Sequence, residues 1–231
     1  MIRDARVLPP EFVPRDILHR SSEVNGLSAA LNPVTRGKQG ETTLLHGPSG
    51  VGKTCIARYM ADKLHETVLD LNTQYVNCWE DYSRFKTLYR ILEGIDRTLD
   101  VHRQSTPKDE LLERLRDYDG PPYVVILDEV DQLEDKRVLY ELYRTQSLTM
   151  VLIANQEKEL FEPLDTRLTS RLRTATRIEF KRYSVDELVE ILRPRVRLGL
   201  REEAVTTDQL ELIANAAAGD ARVGIEVLRV A

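Results

Sequence analysis

Cysteine is scarce in this chain: Cys55 and Cys78 are the only two among 231 residues. Two thiols, one in a helical pattern and one at a strand end, make neither a disulfide framework nor a zinc site, and both read as buried or incidental. Long apolar runs are missing as well. No window approaches the roughly 18 consecutive apolar residues of a membrane span, so no membrane partner is expected. The segment from Met1 to Arg15 mixes charges with prolines and lacks the apolar core of a secretory signal, which points to a cytoplasmic protein. Positive charge is not in surplus either. Lys and Arg number 33 against 38 Asp and Glu, a net charge of −5. That balance excludes a strongly basic nucleic-acid surface over the whole chain and leaves room for a local strip. Fixed-period repeats and low-complexity tracts are absent too. What remains is a chain long enough for a substantial core in one or two domains.

Against these absences stands one dense motif. Gly47-Pro48-Ser49-Gly50-Val51-Gly52-Lys53-Thr54 satisfies the phosphate-loop pattern G-x-x-x-x-G-K-[ST] at each fixed position. The apolar run 42–45 precedes it as a strand, and Ile56, Ala57, Met60 and Leu64 follow it at helical spacing. Glycines let backbone N–H groups surround phosphate oxygens where a Cβ would collide. The start of the following helix adds its positive dipole end. Lys53 is expected on the β- and γ-phosphates, and the Thr54 hydroxyl on Mg²⁺. The cofactor-binding set is therefore Pro48, Ser49, Gly50, Val51, Gly52, Lys53 and Thr54, with Cys55 directly after them. ATP or ADP with Mg²⁺ is the ligand this predicts.

A second motif supplies carboxylates. Tyr123-Val124-Val125-Ile126-Leu127 is a continuous apolar, β-branched run, as in a strand buried on both faces of a parallel sheet. It ends in Asp128-Glu129, at the carboxyl end where open α/β sheets place their ligands. Asp128 is expected to hold Mg²⁺, commonly through water, and Glu129 to polarise the water that attacks the γ-phosphate. A third strand, Val151-Leu152-Ile153-Ala154, ends in Asn155, a polar side chain suited to the γ-phosphate or its attacking water. Arg167 and Arg171 lie four apart on one helix face and are candidates for an arginine reaching a neighbouring subunit's phosphate. Arg222 stands in the first turn of the last helical pattern, where the helix dipole disfavours a cation. Either a phosphate or an acid such as Asp220 is expected to compensate it.

Strand-like runs at 42–46, 74–77, 123–127, 149–154 and 176–180 alternate with helical patterns at 53–64, 82–97, 108–116, 136–144 and, more briefly, 165–171. Alternation of this kind predicts an α/β fold, a parallel sheet with helices on both faces. Pro107 is expected to start the helix at 108–116, at a position where its missing N–H costs nothing. After Phe180 the strands stop. Patterns at 185–198, 207–218 and 222–230 predict three amphipathic helices, capped by Ser184 and Thr206 in the first two cases. Pro194 lies inside the first of them and is expected to kink it. The organisation read from these patterns is a nucleotide-binding domain over 1–182 and a small helical lid over 183–231.

In their order, these pieces resemble the AAA+ ATPases, and within them the archaeal and eukaryotic replication initiators of the origin-recognition and cell-division-control family. The resemblance runs through Phe12-Val13-Pro14, His19-Arg20, the phosphate loop, Tyr75-Val76-Asn77-Cys78 and Leu127-Asp128-Glu129-Val130-Asp131. It continues with Val138-Leu139-Tyr140, Ile153-Ala154-Asn155, Leu164-Asp165-Thr166-Arg167, Arg195 and Gly219-Asp220-Ala221-Arg222. The resemblance implies that Val13, Pro14 and Arg20 line the adenine pocket and that Asn155 and Arg222 act as first and second sensors. It also implies that Arg167 or Arg171 acts in trans. Ser170-Arg171 stands where many members have two serines, and so resembles the trans arginine of clamp loaders. The implied partners are origin double-stranded DNA, other initiator subunits and a replicative helicase, with slow ATP hydrolysis working as a switch. These initiators normally continue into a winged-helix DNA-binding domain, whereas this sequence stops inside the last lid helix, so the implied DNA binding is weak. The alternative is a regulatory nucleotide switch, or a transposition-helper type of ATPase, that gates a protein partner without binding origins.

Overall fold

Parallel strands need a crossover between them, and the helical patterns between the strand runs supply it. The computed structural model describes residues 2–14, 16–102, 106–161, 169–170, 172–201 and 204–230. Its strands are β1 (Thr43–His46), β2 (Asn72–Asn77), β3 (Tyr123–Asp128), β4 (Leu148–Ala154) and β5 (Thr176–Glu179). They form one five-stranded sheet in the order β2-β3-β4-β1-β5, and all four neighbouring pairs are parallel. The described α-helices are α1 (Ser21–Leu31), α2 (Lys53–Thr67), α3 (Arg84–Glu93), α4 (Lys108–Arg116), α5 (Arg137–Tyr143) and α6 (Glu157–Phe161). They continue as α7 (Val185–Gly199), α8 (Thr207–Ala217) and α9 (Ala221–Val230).

The two-residue period of the strands divides the core into two layers. Leu44, Val125, Leu127 and Leu152 pack with Leu88 of α3, Leu111 of α4 and Leu139 of α5. Leu45, Val124, Ile126 and Ile153 face the other way, onto Leu27 of α1 and Ile56 and Met60 of α2. Central β3 and β4 are therefore buried along their whole length, which is what their unbroken apolar runs require. A third core joins Leu188 and Leu192 of α7, Leu210 and Ala214 of α8 and Ile225 of α9. This is an α/β architecture, a parallel sheet with helices on both faces followed by a helical lid, as the patterns predict.

Differences from the sequence reading are local. Helix α1 has no counterpart in it, because Ser, Asn and Gly26 break its apolar pattern. Gly26 is there for close approach: a Cβ would sit 3.2 Å from Ile178 Cδ1 on β5. Helix α3 starts at Arg84 rather than 82, where the Ser83 hydroxyl caps it by accepting from the Lys86 N–H. It ends at Glu93 rather than 97, with Gly94 as its C-cap. Pro107 is the N-cap of α4, directly before Lys108, so that helix keeps its expected bounds. Pro194 lies inside α7, which remains a single helix from Val185 to Gly199. Ser184 and Thr206 both form full capping boxes, with Glu187 and Gln209 as the returning partners. The short helix expected at 165–171 lies largely outside the described residues.

The first residues pack on the lid. Ile2 bridges Leu200 in antiparallel fashion, and the buried Arg195 of α7 donates to the carbonyls of Val7, Pro9 and Phe12 at 2.6, 2.9 and 3.0 Å. Among the described residues, no helix is long and apolar enough to cross a membrane.

Candidate nucleotide and metal site

Strand order brings the motifs together. Because β4 lies between β3 and β1, Asp128-Glu129, Asn155 and the loop 47–52 emerge side by side at the carboxyl edge of the sheet. The loop holds its shape through left-handed glycines: Gly47, Gly50 and Gly52 have φ of 144°, 71° and 95°. A Cβ on Gly47 would fall 2.1 Å from the Phe180 carbonyl oxygen, and one on Gly50 would fall 1.8 Å from Asp220 Oδ1. Val51 is fully buried and ties the loop to the core, whereas Ser49 is exposed. Gly52 is the N-cap of α2.

Lys53 opens that helix. Its Nζ donates to Gly47 O and Pro48 O, both at 2.7 Å, and to Asn155 Oδ1 at 3.1 Å. The ammonium is buried, and among the described residues it forms no ion pair. Burial pulls its pKa down to about 8, against the opposing pull of Asp128, Asp131 and Glu129. A desolvated cation held only by neutral oxygens at the end of a glycine-rich loop offers a seat for an anion. Beside it, the Thr54 hydroxyl donates to Asp128 Oδ2 at 2.6 Å. The Tyr75 phenol donates to the same oxygen at 2.9 Å, and the Glu129 N–H to Oδ1 at 2.9 Å. A hydroxyl and a carboxylate are hard oxygen donors of the kind Mg²⁺ takes. Among the described residues no three His, Cys, Asp or Glu gather as a metal cage. The donor set thus suits an ion whose remaining ligands are phosphate and water oxygens.

Glu129 sits in the left-handed region at φ 55°, ψ 46°, a conformation that non-glycine residues adopt at a cost and that clusters at functional sites. It is half-buried. Burial, then the like charges of Asp128 and Asp131, raise its pKa, and Arg222 and Lys53 oppose them. A carboxylate raised in this way is suited to accept a proton. Arg222, in the first turn of α9, is exposed and forms no ion pair among the described residues, yet its charge acts on both Lys53 and Glu129. Asp220 does not compensate it by pairing: Oδ1 accepts from the Val223 N–H at 3.0 Å and caps the helix. The Ala221 N–H donates to Gly50 O at 2.9 Å, so the lid is fastened to the phosphate loop itself.

The remaining expected residues divide clearly. Val13 and Pro14 are half-buried in the segment that leads from the lid to α1. Arg20 is buried, pairs with Glu23 at 2.9 Å, donates to Lys181 O at 2.5 Å and lies 4.0 Å over the Tyr183 ring. Burial pushes the Cys55 thiol pKa up. Arg167 and Arg171 lie outside the described residues. Two neighbours were not singled out for a role from the sequence. One is Tyr75; burial and the Asp128 charge push its pKa far up. The other is Asp131, whose Oδ1 is buried with no hydrogen-bond partner among the described residues.

Residues 36–162 match the AAA domain, and residues 189–231 match the Cdc6 AAA+ ATPase-type lid domain. The ORC1-type DNA replication protein 1 of Halobacterium salinarum is 58% identical over 229 residues, covering 99% of this chain and 74% of that relative. The chain belongs to the ORC1-type branch of the AAA+ ATPases. A second ORC1-type relative, the DNA replication protein 9 of the same organism, is 51% identical over 231 residues. The match covers 100% of this chain and 65% of that relative, so the chain spans less than two thirds of it. Among solved structures, the Aeropyrum pernix ORC1 protein in complex with DNA superposes with a TM-score of 0.85 at 28% identity, over 99% of this chain and 63% of that one. Cdc6p from Pyrobaculum aerophilum shares the fold, with a TM-score of 0.86 at 22% identity over 99% and 65% of the two chains.

Proposed function

We propose that this ORC1-type chain binds ATP with Mg²⁺ and hydrolyses it slowly, as the AAA+ part of a DNA replication initiator whose ATP and ADP states act as a switch. The observation that carries the reading is the buried Lys53 ammonium, held by neutral oxygens between the phosphate loop and Asn155. Phosphate oxygens would replace those acceptors and restore the missing negative charge. Pro48, Ser49, Gly50, Val51 and Gly52 would surround the phosphates with backbone N–H groups. Thr54 and Asp128 would hold Mg²⁺, which when bound supplies charge neutralisation at the phosphates. Glu129 takes a proton from the attacking water, and Asn155 positions that water. Lys53 and Arg222 stabilise the charge that develops on the phosphoryl oxygens. Val13 and Pro14 would line the adenine pocket, with Cys55 close to the phosphates and Arg20 bracing the wall. The proposed division at 182/183 then sets Arg222 on a lid that reaches across the site.

The proposed partners follow from the family. The Aeropyrum pernix ORC1 protein, solved in complex with DNA, supports DNA as a ligand, and origin double-stranded DNA is the form proposed for this chain. Neighbouring initiator subunits would be engaged through Arg167 or Arg171, and a replicative helicase would be recruited by the assembled complex. The test is duplex binding by the purified chain with ATP, with ADP and without nucleotide, on origin and random sequences across a salt series. Nucleotide-dependent origin preference supports the initiator reading. Intact nucleotide affinity with no origin preference supports a switch that gates a protein partner.

A further inference from the structure

Asp128 is more crowded than a metal ligand in this setting needs to be. Its carboxylate accepts three hydrogen bonds: Thr54 Oγ1 and Tyr75 Oη on Oδ2, and the Glu129 N–H on Oδ1. A carboxylate offers about four acceptor sites, so one remains, on Oδ1. The Thr54 and Glu129 donors belong to the two motifs. Tyr75 comes from a different element, the edge strand β2, and reaches Asp128 through the sheet register. Asn77 lies opposite Asp128 and Tyr75 opposite Ile126. With a two-residue side-chain period, Tyr75 and Asp128 share one face of the sheet. The phenol is itself held, since the Arg58 guanidinium of α2 lies 4.0 Å over its ring. An edge-strand side chain clamped on one face by a cation and bonded at its tip to a carboxylate has little rotational freedom left.

We infer that Tyr75 is a positioning residue for metal-dependent nucleotide binding: its hydroxyl fixes the rotation of the Asp128 carboxylate beside Thr54. The inference rests on the Mg²⁺-nucleotide reading above. Without the phenol, Oδ2 keeps only Thr54, and the carboxylate can turn about its last torsion, a broad rotor when unrestrained. A hydroxyl ligand and a carboxylate that no longer hold a fixed mutual orientation bind a cation with strict octahedral demands less well. Partners that orient a ligand in this manner typically change metal affinity by about 10- to 100-fold.

The test is Tyr75→Phe in the full chain, which keeps the ring under Arg58 and removes the hydroxyl alone. Binding of a non-hydrolysable ATP analogue is titrated by calorimetry across a Mg²⁺ series and again in EDTA. The Mg²⁺ concentration for half-maximal enhancement should rise about 10-fold, while affinity in EDTA and the melting temperature hold. An unchanged Mg²⁺ requirement in a variant that melts like wild type overturns the inference. An equal loss of affinity with and without Mg²⁺ overturns it too, since packing alone would produce that. If the wild-type chain binds the analogue with no Mg²⁺ dependence, the underlying metal reading fails first and the inference falls with it.

Discussion

The carboxyl edge of the sheet and the joint between the lid and the N-terminal segment both bury cations, and they use them differently. At the joint, Arg195 reaches Val7, 188 positions away, and Arg20 reaches Lys181, 161 positions away. Arg20 also has a carboxylate partner in Glu23. These guanidiniums cross-link distant parts of the chain, and their forked donors suit that task. At the carboxyl edge, two of the three Lys53 acceptors are Gly47 and Pro48, only six and five positions away. The third, Asn155 Oδ1, lies 102 positions away at the end of β4. The same edge holds Glu129 in a left-handed conformation. Burial of charge therefore does not by itself distinguish a staple from a ligand seat, since Arg195 too is held by neutral carbonyls. What marks Lys53 is its place at the end of the glycine loop, beside Asp128 and the left-handed Glu129.

The largest effect should come from removing the ligand seat. Lys53→Ala is expected to abolish detectable ATP binding while changing stability by about 1 kcal/mol or less, roughly 2–4 °C in melting temperature for a chain of this size. Retained affinity would remove the phosphate-loop assignment. Next comes Glu129→Gln, which keeps the shape and loses the base. Turnover should fall by about 10²- to 10⁴-fold with ATP affinity preserved, measured as phosphate release beside equilibrium binding. Turnover that survives would mean another group accepts the proton.

At the joint the pattern should invert. Arg195→Ala leaves three carbonyls without their donor and loosens residues 7–12 from the lid, while the backbone bonds of Arg3 and Asp4 to Gly199 remain. Loss of charge-assisted bonds on this scale should cost about 3 kcal/mol, or roughly 10 °C, and open the N-terminal segment to limited proteolysis. A melting temperature equal to that of wild type, with lost nucleotide affinity instead, would erase the distinction between the two regions.

What the sequence shows and hides follows the same physics. The phosphate loop and β3 are legible because their constraints are local: glycine conformations along one loop, and unbroken apolar runs wherever both faces of a strand are covered. Lid helices α7 and α8 announce themselves through Ser184 and Thr206, whose capping boxes lie within four residues. Helix α1 is hidden because Gly26 serves a contact with Ile178 on β5, a reason that exists only after folding. The Tyr75–Asp128 bond depends on strand register and the Arg195 staple on chain segments far apart, so neither has a short-range signal. At Arg222 the sequence allows either a phosphate or Asp220, and the Asp220 carboxylate turns out to cap α9.

The smallest expected effect is a pH dependence at the joint. Burial acts to raise the Glu23 carboxyl, but the Ser22 hydroxyl, the backbone and Arg20 together outweigh it and hold the pKa below the ordinary 4.5. A carboxyl depressed in the folded state contributes stability that is present in full above its unfolded value. That contribution is lost as pH falls through the folded value. Glu23→Gln mimics the protonated form at every pH. The stability gap between wild type and Glu23→Gln, from urea denaturation, should therefore be widest at neutral pH and close as the medium is taken below the carboxylate range. A gap that stays constant through acid would mean that Glu23 holds Arg20 by shape and hydrogen bonding alone, without its charge.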